Sequence, residues 1–249
     1  MPEGLALALD APGLHWLVLA AFVAGSVYGF AGFGAALIFM PLGTALLPAP
    51  VAVAAFSVAA AAALVTVVPG AWAAADRRVV AIMIGIAVVF TPAGVWALGA
   101  LPGSVIRTAV SVIVLVTLAA LVAGWRIRAA GWGARGAVAA LSGMLGGATG
   151  LNGPPVILFN LGTDQPVAVT RANLTVFLTV TSLSFLPQFW AQGLLAPEAL
   201  WLGAILLVPY ALGNRLGAAI FDPARARLYR NAAYLIIGAA GVAGLPLFG

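Results

Sequence analysis

The stretch Gly25-Ser26-Val27-Tyr28-Gly29-Phe30-Ala31-Gly32-Phe33-Gly34-Ala35-Ala36 decides how this chain is read, because it occurs twice. Its counterpart, 118 positions later, is Gly143-Met144-Leu145-Gly146-Gly147-Ala148-Thr149-Gly150-Leu151-Asn152-Gly153-Pro154-Pro155. Gly25, Gly29 and Gly32 fall on Gly143, Gly147 and Gly150. The register then holds without a gap from 25–107 onto 143–225. Pro48 falls on Pro166, Pro69 and Trp72 on Pro187 and Trp190, Gly85 on Gly203, and Arg107 on Arg225. Leu98-Gly99-Ala100 falls on Leu216-Gly217-Ala218. Glycine and proline keep their places because backbone geometry depends on them. One unit is used twice: a first repeat at 1–125, a basic link at 126–135 and a second repeat at 136–249.

The unit is built for lipid. Of 249 residues, 64% are hydrophobic and 7% charged, against about 25% charged in a soluble domain. No Asp, Glu, Lys or Arg occurs in 11–75, 79–106, 108–125, 136–163, 172–197, 199–214 or 231–249. A helix crosses a bilayer with about 20 apolar residues, so membrane helices account for nearly the whole chain. The net charge of +5 is not a nucleic-acid signal, since lysine is absent and the arginines stand singly or in small groups between apolar runs. Without cysteine there is no disulfide or thiol chemistry. Glu3 and Asp10 flank the first apolar run in place of a basic region, so no cleaved signal peptide is expected.

The expected fold is an all-α integral membrane protein. Apolar segments lie near His15–Leu47, Val51–Ala74, Val79–Leu98 and Ser104–Trp125, then Gly136–Leu161, Pro166–Ala191, Pro197–Gly213 and Tyr229–Phe248. If all eight cross, the arginines divide six to five between the two sides and give no orientation. If each glycine-rich opening segment dips in and returns, ten of the eleven arginines fall on one side, with Arg107 alone opposite. That side is then cytoplasmic. Each half contributes three crossings, an odd number, so the halves are inverted, a common transporter plan. Eight continuous spans with parallel halves is the alternative.

The later glycines of each cluster read as helix breaks. After the break a new helix begins, with free N–H groups and a positive dipole end, an anion site without charged side chains. The first half offers N–H groups from Phe33 to Ala36. In the second, Asn152 is the expected N-cap and Pro154 sits in the first turn. Gly25/Gly29 and Gly143/Gly147 have the spacing of close helix packing and are assigned to it. Thr163-Asp164-Gln165-Pro166, Pro197-Glu198 and Pro223 read as helix openers.

The segment after 166 carries a polar stripe of Thr170, Asn173, Thr181, Ser184 and Gln188. It either lines a cavity or bonds a neighbouring helix. Arg171 reads as a cytoplasmic anchor beside Asp164, or as a cation facing the anion. Trp16, Trp72, Trp125, Trp132, Trp190 and Trp201 sit near segment ends, an aromatic belt. No acidic residue lies deep in a segment, and no nucleophile–base pair, metal set or phosphate loop is present. An enzyme, a cofactor and a metal are therefore not expected.

The run Gly29-Phe30-Ala31-Gly32-Phe33-Gly34, continued to Pro41-Leu42, resembles the first-half signature of the TauE/SafE sulfite exporter family, also called the toluene-sulfonate uptake permeases. Gly146-Gly147-Ala148-Thr149-Gly150-Leu151-Asn152-Gly153-Pro154-Pro155 is similar to its second-half signature. Gly34-Ala35-Ala36 replaces a glycine run, and Arg171-Ala172-Asn173 stands where many members have a Gly-Thr-Ser-like run. The resemblance implies a plasma-membrane carrier, in all expectation an exporter, of a small anion: sulfite, an organosulfonate or a related carboxylate. Alternating access at Gly32, Phe33, Gly34, Ala35, Thr149, Gly150, Asn152, Gly153, Arg171 and Asn173 is the working expectation. An anion channel or a non-transporting scaffold is the alternative. The expected partners are the anion and the lipid bilayer, with no nucleic acid. A coupling proton or sodium ion and homodimerisation stay open.

Overall fold

The computed structural model describes residues 3–128, 131–163, 165–220 and 226–246. A short helix Glu3–Leu9 (α1) precedes the first repeat. That repeat contains Leu14–Ala31 (α2), Ala35–Leu46 (α3), Ala49–Ala60 (α4), Ala63–Thr66 (α5), Val68–Ala74 (α6), Arg77–Ala100 (α7) and Gly103–Val122 (α8). The second contains Gly131–Thr149 (α9), Gly153–Asn160 (α10), Val167–Ala191 (α11), Pro197–Ala219 (α12) and Ala226–Gly244 (α13). The sequence register carries into the helices: α2 corresponds to α9, α3 to α10, α4–α6 to α11, α7 to α12 and α8 to α13.

Among the described residues, six helical stretches are long and apolar enough to cross a membrane: Leu14–Ala31, Ala49–Thr66, Arg77–Ala100, Gly103–Val122, Val167–Ala191 and Pro197–Ala219. This set includes α2, the first arm of a segment expected to dip and return. Its 18 residues reach about 27 Å, close to the thickness of the hydrocarbon core. Its continuation α3, with 12 residues, reaches only about 18 Å.

Glycine contacts fix how the helices run. A Cβ on Gly25 would strike the Tyr210 carbonyl, and one on Gly29 the Asn214 carbonyl and the Ala218 nitrogen. Both sequence positions rise together, so α2 and α12 are parallel. Gly143 lies against Ala87, and Gly147 against Thr91 and Val95, so α9 and α7 are parallel. At Gly147 an added Cβ would sit 2.5 Å from the Thr91 oxygen. These positions admit only hydrogen because backbone meets backbone, which is how helices associate where lipid supplies no hydrophobic drive. The packing role expected for Gly25/Gly29 and Gly143/Gly147 is what these contacts show.

Other contacts extend the frame. Asn173 and Gln188 of α11 and Gln192 at its C-cap reach Asp76 N, Val88 O and Pro92 O in turn, so α11 and α7 run parallel. Gly203 packs on Ala55 and Asn214 bonds Thr66, which sets α12 parallel to α4–α5. Tyr28 meets Thr175 and Thr179 while Gly32 meets Arg171, so α2 and α11 are antiparallel. Gly238, Gly241 and Gly244 descend α8 past Leu118, Leu115 and Ser111. The end of α12 and the starts of α7 and α11 thus share one face of the bundle with the end of α2. Arg77, Arg78, Arg171 and Arg215 lie toward that face, and Arg107 toward the other, where it donates to the Gly244 and Leu245 carbonyls at 3.0 and 3.3 Å.

All six belt tryptophans are exposed, as are Val65, Val89, Trp96 and Leu235. On the arginine face, the Arg77 and Arg135 guanidinium carbons stand 5.5 and 5.1 Å from the Trp72 and Trp132 ring centres.

One expected helix start differs. Asp164 and Pro223 lie outside the described residues. Pro166 itself is the N-cap of α11 rather than a first-turn residue, and its own side chain makes no capping bond. Gln165 instead accepts from Asn173 Nδ2 at 3.2 Å. Pro197 opens α12 as expected. Pro69 and Pro187, equivalent in sequence, differ in effect. Pro187 sits inside the continuous α11, whereas Pro69 opens α6 after the chain has already broken at Val67.

Candidate functional site

Both glycine clusters break their helices. Gly32 closes α2 at φ 77° and Gly34 opens α3 at φ 96°. This is left-handed backbone that only glycine adopts at no steric cost. Two such residues within three positions fold the chain back within a single turn. The N–H of Gly32 returns to the Tyr28 carbonyl at 2.8 Å. On the other side of the turn, Ile38 N–H is the first to find its helical acceptor, the Gly34 carbonyl. The N–H groups of Ala35, Ala36 and Leu37 precede that bond, and Gly34 has no side chain with which to cap them. They are the orphan donors of a helix start.

At the second break Gly150 takes φ 75° and donates to the Gly146 carbonyl at 2.7 Å. Thr149 serves the turn itself: its hydroxyl donates to the Leu145 carbonyl at 2.7 Å and accepts from Leu151 N at 3.2 Å. Asn152 precedes α10, but its side chain does not cap that helix. The expectation of an Asn152 cap is corrected by its surroundings. Pro154 and Pro155 remove the N–H groups a cap would bind. The freed amide turns to α11 instead, donating to the Leu178 carbonyl at 3.1 Å, Thr181 Oγ1 at 2.6 Å and Ser182 Oγ at 3.3 Å.

These two helix starts share one chamber of about 30 Å³. Gly34, Ala35, Ala36 and Leu37 line it from one break, and Leu151, Asn152, Gly153 and Pro154 from the other. Tyr28, Thr179 and Ser182 add hydroxyls, and Phe56 and Tyr210 add rings. Tyr28 OH donates to the Thr175 carbonyl at 2.8 Å and pairs with Thr179 Oγ1 at 2.8 Å, joining the first repeat to the second. Phe56 stacks on Phe39 at 4.9 Å between ring centres and meets Tyr210 edge-on at 5.8 Å.

A larger cavity of about 640 Å³ lies beside it, toward the arginine face. Phe30, Ala31 and Phe33 line it from the first break, Thr170, Arg171 and Leu174 from α11, and Trp125 and Arg126 from the end of α8. The two cavities follow each other along the same helix: Thr170, Arg171 and Leu174 border the wide one, and Leu178, Thr179 and Ser182 the narrow one one turn further. Along the turn after α2, Phe33 faces the first and Gly34 the second.

The sequence-predicted residues therefore separate into groups. Gly34, Ala35, Asn152 and Gly153 line the chamber, and Phe33 and Arg171 the wide cavity. Gly32 and Gly150 shape the turns, packed on Arg171 and Met40, and Thr149 ties the second turn together. Asn173 borders neither cavity; it accepts from Asp76 N at 2.8 Å, fixing the start of α7 against α11. Within the polar stripe, Asn173, Thr181 and Gln188 bond neighbouring elements, while Thr170 borders the wide cavity.

Tyr28, Thr179, Ser182 and Tyr210 join the chamber without having been expected from the sequence. A signal existed for Tyr28, the one hydroxyl-bearing aromatic within the first cluster, a single turn before Gly32. Thr175, Thr179 and Ser182 repeat at helical spacing beside the polar stripe of the same segment.

No curated protein and no solved structure matches the chain. The family described as Sulfite exporter TauE/SafE matches residues 17–244, both breaks and both cavities included. This chain belongs to the TauE/SafE sulfite exporter family.

Proposed function

We propose that this membrane protein of a sulfite exporter family is a plasma-membrane carrier for a small acceptor-rich anion such as sulfite, an organosulfonate or a related carboxylate. The observation that carries the reading is the meeting of two helix starts, with the unpaired N–H groups of Ala35, Ala36 and Leu37, in one chamber at the floor of an arginine-bearing cavity. Oriented N–H groups in a water-poor site hold an anion without a buried cationic side chain. A compact oxyanion head suits the chamber, and an organic tail suits the wider cavity.

The carrier is built from inverted repeats. The helix directions support this: α2 parallels α12 and opposes α11, while α9 parallels α7 and α7 parallels α11. On those relations α2 and its counterpart α9 run in opposite senses. α3 turns back from α2, so each opening unit returns to the face it started from and the arginine bias stays on one face. That face is cytoplasmic by the positive-inside rule, and the wide cavity opens a loading path for export. Rocking of the repeats about the chamber then alternates access.

The test uses purified protein in liposomes. Counterflow of labelled sulfite or taurine sulfonate, with thermal stabilisation by the same anion, is the expected result. Ionic currents far above carrier turnover without counterflow identify a channel. No flux and no stabilisation across sulfite, sulfonates and simple carboxylates leaves a scaffold and sinks the proposal.

A further inference from the structure

We propose that Arg171 is a tethered counter-charge for the broken end of α2, and that it acts on the anion through that end rather than as its ligand. The end of α2 carries carbonyls with no helical donor, and with them the negative end of the helix dipole. The Gly32 N–H satisfies the Tyr28 carbonyl. The next carbonyl, Gly29, receives a guanidinium N–H of Arg171. The arginine reaches it by laying its stem across the turn: a Cβ on Gly32 would lie 2.7 Å from Arg171 Cγ and 2.9 Å from Thr175 Oγ1. Gly32 is therefore required twice, for its positive φ and for the passage of this side chain.

The consequence is electrostatic. Two residues beyond the capped end, α3 starts and presents its N–H groups to the chamber. An anion moving from the wide cavity to the chamber passes the α2 carbonyls first, because Phe30, Ala31 and Arg171 all line that cavity. Bare carbonyls would repel it. With Arg171 in place, the break shows a positive face on both sides of the turn. The device is not symmetric: Val53 occupies the equivalent position of the first repeat, and the end of α9 packs its Gly147 on α7. Among the described residues, one break has a built-in cation and the other has none.

The proposal rests on the carrier reading in one of its two readouts only. The first readout is thermal stability in detergent. Arg171→Ala should melt lower than the parent, and millimolar guanidinium should recover part of the loss. Tetramethylammonium, equally charged but unable to donate, should not. Equal responses to both ions overturn the capping role.

The second readout is half-saturation for sulfite in liposomes. Arg171→Met keeps a long stem over Gly32 and should raise half-saturation at least about tenfold, while Arg171→Lys should fall between it and the parent. Guanidinium should restore Arg171→Ala in half-saturation, not merely in maximal rate. An Arg171→Met protein with parental half-saturation and a lowered maximal rate overturns the electrostatic role. If the capping result holds while the parent moves no anion at all, the carrier reading fails and the cap stands.

Discussion

Replacing Asn152 by Asp changes a single polar group at the chamber wall and separates charge from shape. The parent amide donates to the Leu178 carbonyl, Thr181 Oγ1 and Ser182 Oγ. A carboxylate cannot donate, so the Leu178 carbonyl loses this buried partner at a cost of about 1–3 kcal/mol in stability. The larger effect falls on the ligand. A full negative charge about 4 Å from an anion costs about 4 kcal/mol at an effective dielectric constant near 20. That is a loss of roughly a thousandfold in affinity.

Asn152→Ala is the necessary partner. It removes the same hydrogen bonds without adding charge, so the difference between the two variants isolates the electrostatic part. Half-saturation in liposomes and anion-induced thermal shift both report it. A carboxyl so placed also answers to pH: as pH falls it takes up a proton, the charge disappears and binding should return toward that of Asn152→Ala. Equal affinities for the Asp and Ala variants at mildly alkaline pH would refute the placement of the anion beside Asn152.

Tyr28→Phe removes the hydroxyl that bridges α2 to Thr175 and Thr179; about 1–3 kcal/mol of stability should be lost by thermal melting, since the buried Thr179 hydroxyl loses this partner. Gly217→Val drives a branched side chain into the Ser26 carbonyl and Gly29 Cα, and overpacking of about 1–3 kcal/mol or more should appear as a lowered melting point and poor recovery as a monodisperse protein. The chain has no cysteine, so single introduced thiols report sidedness cleanly. Ala74 and Gln192 are exposed and occupy equivalent positions 118 residues apart. In inverted repeats Gln192→Cys reacts with an impermeant maleimide in intact cells and Ala74→Cys only after permeabilisation; labelling of both from one side means parallel halves.

Much of the membrane fold could be read in the sequence because its strongest determinants are local. Charge-free runs set the segments, and glycine repeated at fixed spacing marked both the packing faces and the breaks. What escaped was what depends on a partner distant in the chain. Asn152 has every attribute of an N-cap until Pro154 and Pro155 leave it nothing to cap and α11 supplies three acceptors. Asn173 looked like a ligand because it is polar in an apolar helix. Its amide instead holds Asp76 N, a contact 97 residues away in sequence. Tyr28 was hidden for the converse reason, since a tyrosine among glycines looks like packing until a hydroxyl partner on another helix is known.

On the proposed reading, the polar inventory of the chamber explains how so hydrophobic a chain would serve an anion. A buried lysine or arginine at mid-membrane would bind an oxyanion tightly, and the cost of its own desolvation would fall on the empty protein. Backbone N–H groups carry only partial charge, so the empty chamber costs less and the filled one releases more easily. A carrier needs both, because it must return empty and let go of its cargo. Of the two arginines that line the wide cavity, Arg126 and Arg171, it is Arg171 that stands a turn before the chamber, already engaged with the Gly29 carbonyl. On the proposed carrier reading, strong charge guides approach while weak dipoles hold the cargo. On this argument a second arginine introduced at Thr179, inside the chamber, should tighten anion binding by thermal shift yet slow counterflow. A variant that gained both affinity and turnover would contradict it.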